Sequence, residues 1–346
     1  RDQPRSRGLG DVYKRQKPMS MVSLAVAGAL MASLAGCGDD KEAPKAGAAT
    51  NLTPIGIVQL VEHDALDAAN RGIVDALAER GFKDGVNVQL DRQNAQADQS
   101  NLHNIAQRFV SNKDKAIFAI ATPAAQSVAG ATKDIPIVAT AVTNFEIAKL
   151  VQSNEKPGGN VTGVSDINPV KEQVELLLKL VPQAKNIGTI YNSSEINSEY
   201  QVKLLREAAV QLNLDIVEST VTTVNDLQQA VNSLKDKVDA IYLPTDNVVA
   251  SALPALMKAT MPAKLPVVAA EGGMVRQGAL ASIAIDYYTL GKMTGQMGAD
   301  ILEGKAKPAD MPIQTQHADN VIVNVKTAKA LGLTIPEDCL LYTSDA

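Results

Sequence analysis

Short runs of Ile, Val, Leu and Ala alternate along most of this chain with longer stretches whose apolar positions recur every three or four residues. Runs that are apolar at every position read as parallel strands covered on both faces, and the 3.6-residue period reads as the helices that cover them. A first block predicts strands at Ile55–Leu60, Val86–Arg92, Ala116–Ala121 and Ile135–Thr140. Its helices fall at Leu66–Arg80, closed by Gly81, at Leu102–Val110 and near Ala124–Lys133. A second block predicts strands at Ile187–Asn192, Ile216–Val221, Val238–Leu243 and Leu265–Ala270, with helices at about Ser198–Leu212, Leu227–Leu234 and Val248–Thr260. In the first of these helices Leu205, Ala208, Ala209 and Leu212 share one face.

The blocks match element by element at an offset of 124 to 132 residues: Ile55 with Ile187, Leu102 with Leu227, Ala116 with Ala240 and Pro136 with Pro266. This is one α/β unit used twice, in a stretch too long for one comfortable core. The fold class expected is α/β, two Rossmann-like lobes with parallel sheets joined by a hinge. Between the blocks, the Pro- and Gly-punctuated Lys156–Gly163 reads as that hinge, and Asn168-Pro169 as N-cap and first residue of a helix at Val170–Leu180. Beyond the second block, Ala279–Asp286 reads as a strand, Leu290–Leu302 as a helix and Val321–Val325 as a last strand before Thr327–Leu331.

Ahead of the first block the pattern changes. Met21–Gly36 is an unbroken run of small and apolar residues, about 24 Å long as a helix and short for a membrane span. With its basic flank it reads as a secretory signal over residues 17–36. Leu34-Ala-Gly-Cys37 has the form of a bacterial lipobox, with small residues leading to a cysteine whose thiol takes a lipid, so Cys37 is the expected lipidation site and membrane anchor. Residues 37–53, rich in Gly, Ala, Lys and Asp without periodicity, read as a tether. The strings at 1–16 and 339–346 resemble sequencing-adapter read-through and are set aside as non-native. With Cys37 lipidated and Cys339 set aside, no disulfide, thiol nucleophile or cysteine metal cluster is expected in the folded part.

Charge and motifs then exclude several functions. The net charge is −5 and no basic stripe occurs, which disfavours nucleic acid as a partner. A helix-turn-helix ahead of the lobes, as a regulator would need, is replaced by the lipobox and tether. The loop after the first strand, Gln59–Ala65, lacks the glycines of a dinucleotide site, and neither a Walker loop nor a Gly-x-Ser-x-Gly elbow occurs. The three histidines, His63, His103 and His317, are not spaced as metal ligands. No catalytic residue, metal or cofactor is expected.

In open parallel sheets, ligands bind beyond the carboxyl ends of the strands. Those positions are the polar loops Gln59–Leu66, Thr122–Gln126 and Thr143–Phe145 in the first block, and Asn192–Ser198, Thr245–Asn247 and Glu271–Met274 in the second. Facing each other across a hinge, they form a cleft for a small molecule. A carboxylate suits hydroxyls and N–H groups at a helix start, as at Thr122 with Ala124–Gln126 or at Ser193-Ser194. An ammonium suits Glu62, Glu195, Asp246 or Glu271. His63 and Asn192 complete the set of candidate contacts. The same residue types also serve as ordinary helix caps. With no Trp in the chain, aromatic stacking platforms for a sugar are scarce.

Several of these strings resemble the ABC transporter substrate-binding family that includes tryptophan- and tyrosine-binding proteins. They are Ile55-Gly-Ile-Val-Gln, His63-Asp-Ala-Leu-Asp67, Gln93-Asn-Ala-Gln96, Ala121-Thr-Pro-Ala-Ala-Gln126, Thr140-Ala-Val-Thr143, Lys156 through Asp166, Tyr191-Asn with Ser194-Glu and Asn197-Ser, Pro244-Thr-Asp-Asn247, Gly278-Ala-Leu-Ala, and Ile285-Asp-Tyr-Tyr288. The resemblance implies a type I periplasmic-binding-protein fold with three crossings between lobes. It implies an extracytoplasmic monomer that hands an amino acid, aromatic first, to a permease with its ATPase. It also implies cleft contacts at Thr122, Gln126, Thr143, Ser194, Glu195, Asn197, Asp246 and Asn247. With it, lobe 1 is expected at 54–160 plus about 279–310, and lobe 2 at 161–278 plus about 311–338. Two functions stay open: solute capture for import, or a lipid-anchored sensing lobe pair that signals to a membrane receptor.

Overall fold

The computed structural model describes residues 52–340. The expected leader, the Cys37 lipid site, the tether up to 51 and residues 341–346 lie outside the described residues. One sheet holds β1 (Thr53–Gln59), β2 (Val88–Asn94), β3 (Ile117–Ile120), β4 (Ile137–Val142), β5 (Val161–Ser165) and the short β11 (Gln314–Thr315). Its order is β11-β5-β4-β3-β1-β2, parallel throughout. The other holds β6 (Asn186–Asn192), β7 (Asp215–Val221), β8 (Ala240–Leu243), β9 (Val267–Ala269), β10 (Ala281–Ala284) and β12 (Asn320–Val323). Its order, β12-β10-β9-β8-β6-β7, is the same pattern, parallel except for β10 against β12. The repeat seen in sequence is therefore a repeat of topology.

Burial follows strand position. All residues of β3 and β4 are buried, whereas the edge strands β2 and β7 are mostly half-exposed or exposed. Helices α1 (Asp64–Glu79), α2 (Gln99–Asn112), α3 (Thr122–Ala131) and α10 (Tyr287–Leu302) belong to the first lobe. The second carries α4 (Val170–Leu180), α5 (Ile196–Leu212), α6 (Leu227–Leu234), α7 (Asn247–Ser251), α8 (Leu253–Thr260), α9 (Gly272–Arg276), α11 (Val325–Leu331) and α12 (Glu337–Leu340). Helices α1 and α10 lie backbone to backbone: a Cβ on Gly72 would collide with the Tyr288 carbonyl, and one on Gly291 with the Ala69 carbonyl. That contact fixes α10, which arrives from the other lobe, against the first.

Several expectations are corrected. Lys156–Gly163 is not the hinge; its last residues enter β5. Gly163 reads as a breaker in sequence, but it is needed because β4 passes so close that a Cβ would strike the Ala139 carbonyl. Pro169, not Asn168, occupies the cap of α4, and Asn168 turns its amide back to the Asp166 carbonyl at 2.9 Å. The expected helix over Val248–Thr260 breaks at Ala252, because Pro254 has no N–H and its ring excludes the carbonyl four residues earlier. The sheets also move the lobe boundaries: β5 and β11 pair in the first sheet and β10 in the second, the reverse of the boundaries expected with the resemblance. The chain thus crosses between lobes at 166–169, 285–286 and 316–319. Cys339, set aside with the tail, is buried among the apolar side chains of α4, α5 and β12.

Candidate ligand cleft

The carboxyl ends of the central strands in both sheets face one another beside the crossings. Where they meet is a narrow cavity with a free volume of only about 10 Å³, room for one water-sized group. From the first lobe it is lined by His63, Leu66, Ala141 and Thr143, and from the crossings by Asp166 and Tyr287. The second lobe supplies Asn197, Thr245, Asp246, Asn247 and Glu271. A wider groove lies outside it, between α2 and α3 on one side and the β6–α5 and β7–α6 connections on the other.

Local chemistry explains how these groups are held. Asp246 caps α7 by accepting from the Val249 N–H at 2.9 Å. Its other oxygen accepts from the Asn192 N–H at 2.6 Å and the Ser198 hydroxyl at 2.7 Å, tying the ends of β6 and β8 to the start of α5. Burial raises its pKa, and these three hydrogen bonds act against that rise. Glu195 accepts from the Asn197 and Asn247 side-chain amides, and burial followed by the nearby Asp246 pushes it up to about 8. Gln201, fully buried in α5, bridges the lobes: its amide donates to the hydroxyls of Thr143, at 3.2 Å, and Thr245.

Two carboxylates on the wall are less committed. Glu271 makes no hydrogen bond among the described residues, and burial, then Asp166, push it up to about 8. Asp166 accepts from the Tyr287 hydroxyl at 2.9 Å through one oxygen, while its Oδ1 has no partner. Burial raises Asp166 as well, and the hydrogen bond from the Tyr287 hydroxyl acts against that rise. His63 is held below its ordinary value by burial, hence neutral, and no Lys or Arg lines the cavity. A buried carboxylate without a counter-charge is costly. Such carboxyls are therefore held neutral, or ionised only beside a cation.

Of the residues expected from sequence, His63, Thr143, Asn197, Asp246, Asn247 and Glu271 line the cavity. Gln126, Asn192, Ser194 and Glu195 line the outer groove. Two do not join them. Glu62 is exposed in a separate surface depression with Arg71 and Arg92, because it precedes the N-cap of α1 and points away from the second lobe's loops. Thr122, the first residue of α3, is buried, its hydroxyl without a partner, and lines neither space. Sequence reasoning missed Asp166, Tyr287, Ala141 and Gln201 as site residues. Asp166 was detectable: Val161-Thr-Gly-Val164 is a short apolar run, and the residue beyond its carboxyl end obeys the rule that found the other loops.

The family described as "ABC transporter substrate binding protein" matches residues 54–346. The chain is 44% identical over 323 residues to the tyrosine-binding protein of Clostridioides difficile (strain R20291), covering 92% of this chain and 93% of the relative. Among solved structures, it resembles the ABC domain from Streptococcus pneumonia in complex with L-Trp, at 41% identity and TM-score 0.82, over 85% of this chain and 99% of that one. It also resembles the ligand-free, open form of a substrate-binding protein with adhesive properties from Clostridium difficile, at 46% identity and TM-score 0.66, over 85% and 100%. At similar identity, the lobes here therefore superpose better on the L-Trp complex than on the open form. Proteins of this family bind their ligands without transforming them, so the chain is not an enzyme. With its duplicated parallel sheets, three crossings and cleft, the chain belongs to the ABC transporter substrate-binding family and has the type I periplasmic-binding-protein fold.

Proposed function

We propose that the chain is a lipid-anchored, extracytoplasmic receptor that captures a free amino acid, an aromatic one by preference, and delivers it to a membrane permease driven by an ATPase. The observation that carries this is the inner cavity, walled by Asp166, Asp246 and Glu271 with no Lys or Arg among its lining residues. An α-ammonium group supplies the missing positive charge, and cleft closure removes it from water together with the carboxylates. For the ligand carboxylate, α3 begins without a side-chain cap, and Pro123 and Gln126 of its first turns line the outer groove. The names of the relatives, one tyrosine-binding and one in complex with L-Trp, support the aromatic preference. Cys37 is the anchor, and Thr143, Asn197, Asp246, Asn247 and Glu271 are the contacts around the ammonium end. A monomer suffices, since both walls of the cleft come from one chain.

Two measurements test this reading. Mass spectrometry of small molecules released from the denatured protein should find tryptophan, tyrosine or phenylalanine. Uptake of the same labelled amino acid should fall in cells lacking the chain and return with it. Normal uptake in its absence, with a sugar or nucleoside released instead, contradicts the proposal.

A further inference from the structure

Asp166 and Tyr287 stand in a position that ligand contact alone does not explain. Asp166 directly follows β5 at the start of the first crossing, and Tyr287 opens α10 at the end of the second. The Tyr287 hydroxyl donates to Asp166 Oδ2 at 2.9 Å, so the two crossings are fastened together by one buried hydrogen bond. Both residues also line the inner cavity, and the other oxygen of the same carboxylate, Oδ1, accepts no hydrogen bond.

The segment around them is stiffened from both sides. The Ser165 hydroxyl donates to the Thr143 carbonyl at 2.9 Å and accepts from the Ile167 N–H at 3.1 Å. The Asp166 N–H reaches the Val142 carbonyl at 3.3 Å. Asp166 is therefore seated on β4 while its side chain reaches the other crossing. The remaining acids of the cleft lack this placement: Asp246 has both oxygens occupied within the second lobe, and Glu195 bonds only to second-lobe amides. Glu271 lies one residue before α9 and belongs to neither crossing segment.

We infer that Asp166 is the positioning residue that couples ligand to hinge: Oδ1 takes the ligand's ammonium while Oδ2, through Tyr287, holds the first two crossings in the closed arrangement. This rests on the amino-acid reading proposed above. An ammonium at Oδ1 keeps the carboxylate ionised, and an ionised carboxylate accepts a stronger hydrogen bond from Tyr287. Occupation of the cavity is thereby transmitted to the segments about which the lobes turn. Without the ligand's charge, burial favours the protonated acid, and the fastening is weaker.

The test compares wild type, Asp166→Asn and Tyr287→Phe in the purified protein by calorimetry and small-angle scattering. The ligands are L-tryptophan and its desamino analogue, indole-3-propionate. Wild type should bind tryptophan at least about 100-fold more tightly than the analogue, and contract only with tryptophan. Asp166→Asn, which keeps an acceptor for Tyr287, should bring that ratio to within about tenfold. Tyr287→Phe should keep the discrimination but contract less on binding. An Asp166→Asn protein that still discriminates fully, or a Tyr287→Phe protein that contracts as wild type does, overturns the coupling and leaves the amino-acid reading standing. A wild type that binds no ammonium-bearing amino acid overturns both.

Discussion

The Nε2 of His63 on the first lobe and the Oδ1 of Asn247 on the second lie 3.4 Å apart. Asn247 gives its amide N–H to Glu195, so its oxygen is what faces His63, and His63 must carry its proton on Nε2. Burial keeps that ring neutral. Because His63 caps α1 without a side-chain hydrogen bond, replacing it removes an interlobe contact without uncapping the helix. His63→Ala should weaken ligand binding by about five- to tenfold, near 1 kcal/mol, with the ligand-free melting temperature almost unchanged. Calorimetry and thermal unfolding read the two separately. Unchanged affinity would show that the contact does not stabilise the closed form.

The acids of the cleft set the pH dependence. Glu195 and Glu271 titrate near 8 in the folded chain, against about 4.3 for an unfolded glutamate. Folded-state values raised this way give stability that is full below the unfolded pKa and lost as pH rises through the folded one. His63, shifted down, acts in the opposite sense below its unfolded value of about 6.5. The ligand-free melting temperature should therefore fall between about pH 5 and pH 8, and a saturating amino acid should flatten the slope. A ligand-free profile that climbs across this range counts against the assignment of these groups.

Asp246 and Glu62 separate structural from peripheral acids. Asp246→Ala removes a helix cap and two further buried hydrogen bonds, so chemical denaturation should show a loss of about 2 kcal/mol or more, together with loss of binding. Glu62→Ala, exposed and outside the cleft, should match wild type in both measurements. Impaired binding in Glu62→Ala would place the ligand elsewhere than proposed.

The close approach of α1 and α10 makes a third contrast. Gly291→Ala forces a methyl group into the Ala69 backbone and should cost about 1–3 kcal/mol. Gly130, within α3, has open space around a would-be Cβ, and Gly130→Ala should stabilise by about 0.5–1 kcal/mol. Equal melting temperatures for the two variants would mean that the helices separate readily.

Most of the architecture was legible because the signal is repeated. Central strands apolar at every position, and helices with a clear stripe, announce themselves twice at nearly constant spacing, and α4 and α6 fall on their predicted residues. What escaped was decided by neighbours distant in sequence. Gly163 is required by a backbone twenty-four residues earlier, and the sheet that receives β5 or β10 depends on pairing that chain order does not encode. The site divided the same way. Loops after strong strands yielded His63, Thr143, Asn197, Asp246, Asn247 and Glu271, whereas Asp166 and Tyr287 sit on the crossings and meet only when the lobes are assembled. Glu62 matched in residue type but not in direction.

The central claim, that the cleft closes on an amino acid, is tested most directly by thermal unfolding of the purified protein against a panel of amino acids, nucleosides and sugars. At about 100 times its dissociation constant a ligand stabilises the native state by about 2.7 kcal/mol, a shift of several degrees. The account predicts that shift with tryptophan, tyrosine or phenylalanine, and none with their desamino analogues or with sugars. A shift produced by a sugar or nucleoside, with every amino acid silent, would contradict it.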